Sequence, residues 1–235
     1  MKGEQELKLK LIEKKQETND VFSFIFQPLK PVSWQAGQYV FYKLPHDNPD
    51  DRGDTRIFTI SSPPYQERIM ITTRFFFQES SSFKKALFSK EAGDSIEALR
   101  IQGHFTVEEP NKKLVFIAGG IGITPFHSIL LELENRNKIK DIILIYSNRN
   151  EESIVFKETM DHLEKKFQGI RIKYIYSPQR CNKELIKESV PDIYERIFYL
   201  SGPIRMVRSV EETLEELNVN RENIRKDYFP RTGEE

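Results

Sequence analysis

The chain has 235 residues, and thirty-six basic side chains balance thirty-six acidic ones. That length holds one large domain or two small ones with ample core, and the balanced charge gives no global field for nucleic acid or an anionic membrane. A single cysteine, Cys181, excludes an intrachain disulfide and a self-contained iron–sulfur cluster, which takes about four thiolates, and it argues for a reducing compartment. No apolar run approaches the roughly 20 residues of a membrane span. The start Met1-Lys-Gly-Glu-Gln-Glu reads as too polar for a signal peptide, so the expected location is cytoplasmic.

Residues 5–108 have strand character. Leu7, Leu9 and Leu11 alternate with charged residues, Phe22, Phe24 and Phe26 alternate with Ser23 and Ile25, and 69–77 is a further β-rich run. Turn clusters separate these runs, which predicts an antiparallel β-barrel or sandwich interrupted by one helix at 82–88. Within it, Arg56-Ile-Phe-Thr-Ile-Ser-Ser62 gathers a cation, an aromatic ring and three hydroxyls in seven residues. As a strand it sends Arg56, Phe58 and Ile60 one way and Ile57, Thr59 and Ser61 the other. Taken alone it fits an amphipathic strand as well as a ligand site.

The polar stretch 108–113 is the expected linker, dividing the chain into domains 1–108 and 109–235. Beyond it strands (114–118, 142–146, 170–176, 197–200) alternate with helices (125–135, 153–167, 183–190, 203–217), the pattern of an α/β doubly wound parallel sheet. Met206, Val210, Leu214 and Leu217 form an apolar stripe on the last helix and are expected in the core. The most informative stretch is Leu114-Val-Phe-Ile-Ala-Gly-Gly-Ile-Gly-Ile-Thr-Pro125. An apolar strand stops at Gly119, Gly120 and Gly122, and Thr124 and Pro125 suit the N-cap and first position of the helix that follows. Exposed amides and the helix dipole there attract phosphate, the chemistry of a loop that holds a nucleotide's pyrophosphate.

Several motifs in order give this chain a wider likeness. Trp34-Gln-Ala-Gly-Gln-Tyr39, Arg56-Ile-Phe-Thr59, Gly103-His-Phe105, Gly119 through Pro125, and Tyr199-Leu-Ser-Gly-Pro-Ile-Arg-Met206 follow one another over nearly the whole length. The chain resembles the ferredoxin–NADP⁺ reductase superfamily of flavin oxidoreductases. The resemblance implies an N-terminal flavin-binding β-barrel and a C-terminal NAD(P)-binding domain, with FAD as cofactor and NADPH or NADH as hydride donor. It implies that Arg56 pairs with the flavin phosphates, Phe58 lies against the isoalloxazine ring and Thr59 offers its hydroxyl near N5, the hydride acceptor. It makes Ser62 a ribityl or phosphate contact and gives Ser81 or Ser82 a diphosphate contact, against a plain N-cap role. Gly202 and Pro203 open the last long helix beside the glycine turn, and Ser201 stands where relatives often carry a cysteine near the reacting nicotinamide carbon. Phe229 is the candidate cover for the flavin, with strand packing as the competing role.

Coenzyme choice rests on Arg149, either a grip for a 2′-phosphate or a solvated loop charge, with Glu151 and Glu152 opposing a phosphate. Asp141 has the spacing of a ribose-binding acid but precedes its strand, so it is discounted. Four scattered histidines show no metal-ligand spacing, and no metal is expected. The electron acceptor implied is a separate redox protein: a ferredoxin-like protein, a haem protein or an oxygenase component. The competing roles are an electron-transfer subunit of a larger redox complex and a non-catalytic nucleotide-binding module.

Overall fold

The computed structural model describes residues 7–229. By internal contact the chain divides into two units, one of residues up to 106 together with 127–132, the other of residues 107–126 together with 133 onward.

The first unit is built from β1 (Leu7–Gln16), β2 (Val21–Pro28), β3 (Tyr39–Lys43), β4 (Thr55–Thr59), β5 (Ile69–Arg74), α1 (Ser82–Phe88) and β6 (Ser95–Gln102). All neighbouring strands are antiparallel, in the order β4-β3-β6-β1-β2-β5. Just past edge strand β4, the Ser61 amide donates to the Met70 carbonyl of edge strand β5 at 2.9 Å, so the sheet curls towards a barrel. Period-two alternation sets the inner face: Leu9 and Leu11 are buried between exposed Lys8 and Lys10, and Leu11 faces Phe26 across the ladder. Phe83 and Leu87 of α1 close this core, and each fully buried side chain of this size contributes about 1.5–3 kcal/mol. The β-rich run at 69–77 ends as strand at Arg74. Phe75 turns to stack on Phe88 with ring centroids 4.0 Å apart, and Phe77 is exposed.

The second unit contains β7 (Lys113–Gly119), β8 (Ile142–Asn148), α3 (Lys157–Lys166), β9 (Ile170–Tyr176), α4 (Lys183–Ser189), β10 (Arg196–Pro203), α5 (Ile204–Glu216) and β11 (Ile224–Phe229). Helix α2 (Ile123–Asn135) follows β7. The five strands are parallel, in the order β11-β10-β7-β8-β9. β7 leads to β8 on one side and lies beside β10 on the other, so the order reverses at β7, and ligands of such sheets collect at the carboxyl ends of the strands at that point. Val115, Ile117, Ile143 and Ile145 bury one face of the sheet against α4 and α5. On α5 the buried stripe is Ile204, Val207, Val210 and Leu214, with Met206 partly buried against it.

Three details depart from the pattern in the sequence. β11 is an added parallel edge strand, in register with β10 from Phe198↔Ile224 to Pro203↔Phe229. Helix α3 starts at Lys157 and not 153, because Glu151–Ser153 forms a separate 3-10 turn and Phe156 takes a left-handed conformation at φ 60°. Thr124 is not an N-cap: Gly120–Gly122 forms a 3-10 turn that runs directly into α2 at Ile123, and the Thr124 hydroxyl donates to the Ile121 carbonyl at 3.1 Å.

Candidate active site

In the first unit, β4 carries Arg56, Phe58 and Thr59. The Thr59 hydroxyl is buried and has no hydrogen-bond partner among the described residues, and the residue is 4% exposed. The Ser61 hydroxyl beyond it is likewise buried and unpartnered. A buried polar atom left without a partner costs about 1–3 kcal/mol and calls for an explanation. Phe58 is half-buried, packing at 5.8 Å on Phe83 and 6.1 Å on Tyr42. Ser62, by contrast, uses its hydroxyl within the fold: it donates to the Arg68 carbonyl at 2.6 Å and accepts from the Met70 amide at 3.0 Å.

The Arg56 guanidinium is held on several sides. Nη1 donates to the carbonyls of Arg52 (2.9 Å), Gly53 (3.0 Å) and Thr55 (2.7 Å), and Nη2 bonds the Asp50 carboxylate. Ser81 caps α1, accepting from the Lys84 amide at 3.3 Å, while the Ser82 hydroxyl accepts from the Asp50 amide at 2.8 Å. Burial alone would raise the Asp50 carboxyl, but the bonds from Arg56 and the Arg52 amide overcome it and hold it at about 2. Burial, with Arg74 and Arg52 nearby, pushes the Lys84 ammonium down to about 8.

In the second unit the glycine turn does what its composition suggests. Gly120 has φ +52° with open space where a side chain would stand, which suits close approach of a ligand to the backbone. A Cβ on Gly122 would collide with the Ser201 carbonyl, so only glycine lets β7 and β10 end this close together. Gly119 pairs in register with Ser147 at the end of β8. Ser201 is fully buried on β10 with its hydroxyl unpartnered, and Gly202 and Pro203 lead into α5, Pro203 in the N-cap position. Arg149, just past β8, is exposed, and Asp141 is tied to Arg196 at 2.8 Å. Phe229 ends β11 opposite Pro203; its side chain lies outside the described set.

One residue of this edge is not singled out by its sequence context. Asn148, the last residue of β8, is 7% exposed, and neither its side-chain nitrogen nor its side-chain oxygen has a partner among the described residues. Its neighbour on the same face, Tyr146, donates from its hydroxyl to the Gly120 carbonyl at 3.1 Å, steadying the turn. A polar residue closing a strand of five buried apolar positions is the signal that could have found it.

Residues 116–212 match the family model described as the oxidoreductase NAD-binding domain. Over 94% of its length the chain is 25% identical to a flavohemoprotein of Pseudomonas putida. Over 85% it is 23% identical to the reductase component 1 of terephthalate 1,2-dioxygenase of a Comamonas species. The chain spans 58% of the first of these relatives and 60% of the second. Its fold superposes on the flavohem-like FAD/NAD-binding domain of nitric oxide dioxygenase from Vibrio cholerae with a TM-score of 0.83 at 22% identity, covering 96% of this chain and 99% of that one. It also superposes on a ferredoxin–NADP⁺ reductase from Plasmodium falciparum with a TM-score of 0.82 at 18% identity, covering 95% and 96% of the two chains. Residues 116–212 thus form an oxidoreductase NAD-binding domain, and the fold of the chain is that of the ferredoxin–NADP⁺ reductases. Both sheets of that fold are present here, the curled antiparallel one and the five-stranded parallel one.

The residues fit a flavin and a nicotinamide dinucleotide unequally. On the flavin side, the Thr59 and Ser61 hydroxyls are kept buried and unused, as a site for a polar ligand requires. On the nucleotide side, the open Gly120 backbone and the unpartnered Ser201 and Asn148 groups make the same case. Arg56 is the exception, since a carboxylate of the chain already sits on it.

Proposed function

We propose that this protein oxidises NAD(P)H through FAD and delivers the electrons to a separate redox protein. The observation that carries this reading is a buried, unused hydroxyl in each unit: Thr59 on the strand of the Arg-x-Phe-Thr motif, and Ser201 beside the open glycine turn. Bound flavin supplies the chemistry, accepting hydride at N5 and releasing electrons one at a time. The chain's residues orient and tune. Thr59 donates a hydrogen bond to the acceptor end of the ring, Arg56 and Ser82 neutralise and seat the phosphates, and Phe58 supports the ring. In the second unit the amides of the 120–122 turn hold the dinucleotide's pyrophosphate, and the Ser201 hydroxyl orients the nicotinamide carboxamide.

The acceptor is a protein of the ferredoxin, haem-protein or oxygenase-component type. Relatives named as a flavohemoprotein and as a dioxygenase reductase component support that range. A role as the reductase subunit of an oxygenase complex is the second reading, favoured by a relative of Rhizobium meliloti named as the reductase subunit of stachydrine N-demethylase. Anaerobic titration of the FAD-loaded protein decides between enzyme and binding module. Bleaching of the flavin band by one equivalent of NADH or NADPH is expected; a band that persists in excess of both refutes catalysis.

A further inference from the structure

The Asp50 carboxylate makes an unusual set of contacts. One oxygen takes the Arg56 guanidinium and the Arg52 amide (3.1 Å); the other takes the Ser82 amide (3.2 Å) and lies 3.5 Å from the Arg52 guanidinium. Two guanidinium groups and two backbone amides around one planar anion is the donor set that grips a phosphate. Lys84 and Arg74 add positive charge close by: Lys84 donates to the Arg74 carbonyl at 3.0 Å and feels both Arg74 and Arg52, and Arg74 pairs with Asp20 at 2.8 Å. Arg56 and Arg52 thus share the Asp50 carboxylate and Arg74 has Asp20, while Lys84 adds charge that a phosphate-type anion would help offset.

We propose that Asp50 is an internal stand-in for the flavin's phosphates: it occupies Arg56 in the flavin-free protein and is displaced when they bind. The inference rests on the flavin reading above and goes beyond it, because it makes flavin affinity a competition between two anions for one guanidinium. The two cannot share that donor set closely, since like charges at short range repel and Arg56 has only Nη2 not given to backbone carbonyls among its terminal nitrogens. The competitor also stabilises the protein without flavin, since it neutralises a largely buried guanidinium whose other acceptors are uncharged carbonyls.

The test compares wild type with Asp50→Asn and Arg56→Ala for binding of riboflavin, FMN, FAD and inorganic pyrophosphate, by flavin fluorescence and calorimetry. Asn keeps the shape of Asp and removes its charge. Asp50→Asn should bind FMN and FAD about tenfold more tightly, in keeping with the loss of a charge-assisted competitor, and should leave riboflavin, which has no phosphate, unchanged. It should also melt at a lower temperature without flavin while gaining more from added FAD. Arg56→Ala should weaken FMN and FAD and spare riboflavin. Weaker FMN and FAD binding in Asp50→Asn would overturn the proposal, making Asp50 a prop that orients Arg56; an equal change for riboflavin would overturn it as well. If no flavin binds any of the proteins, the flavin reading falls, and pyrophosphate decides the exchange separately: tighter binding to Asp50→Asn sustains it and equal binding refutes it.

Discussion

Thr59, Asn148 and Ser201 each keep a buried polar group that the fold does not use. Such groups lower stability, so their removal separates a binding role from a packing role. Thr59→Val deletes the hydroxyl with little change of shape. It should leave the melting temperature equal or higher, retain flavin, and slow flavin reduction by NAD(P)H by roughly tenfold, the worth of one aimed hydrogen bond. An unchanged rate in stopped-flow would return Thr59 to the fold. Asn148→Leu removes an unpartnered donor and acceptor from the end of β8. The expected result is a more stable protein that binds NAD(P)H less tightly, read by thermal melting and by calorimetry. A loss of stability with unchanged affinity would show that Asn148 packs and does not bind.

At the scale of the element, the strand–turn–helix from β7 to α2 is legible in the sequence, because glycines that must approach another backbone leave a mark there. Gly122 against the Ser201 carbonyl is the physical reason for that mark. The cap is not legible: Thr124 and Pro125 suggest a helix start, yet the 3-10 turn of Gly120–Gly122 already carries the chain into α2, so the threonine bonds backwards to Ile121. β11 escapes a sequence reading because three charged residues, Arg225-Lys-Asp227, follow Ile224 and break any apolar alternation; its order comes from pairing with β10. The Asp50–Arg56 bond escapes it too, because nothing in an acidic loop says which acid folds back on a cation six residues on. The end of β8 also sets the coenzyme test. Arg149 is exposed beside Glu151 and Glu152, so its pull on a 2′-phosphate is partly cancelled. Arg149→Ala should weaken NADPH several-fold more than NADH at low salt, and the difference should shrink as salt screens the pair. Equal losses for both would mean that Arg149 reads a part common to the two.

Across the whole molecule, acidic and basic residues balance near neutrality, so self-repulsion is small there and individual groups govern the pH dependence of stability. The largest contributor near neutrality is His127, which the first unit encloses: it is buried, with Nδ1 donating to the Ser61 carbonyl at 2.7 Å. Burial pushes its imidazole down from 6.5 to about 4, against the pull of that bond. Above pH 6.5 the ring is neutral in both folded and unfolded chains and its contribution is flat. Between 6.5 and about 4 the unfolded chain takes up a proton that the folded chain refuses, so stability falls on acidification by up to about 1.4 kcal/mol per pH unit. Asp50 and Asp192, both held below the carboxylate range, extend the loss to lower pH. His127→Gln keeps a donor for Ser61 but cannot titrate. Urea unfolding from pH 7.5 to 4.5 should therefore show a sloping stability in wild type and a nearly flat one in the variant. Parallel slopes would place the acid sensitivity elsewhere in the chain.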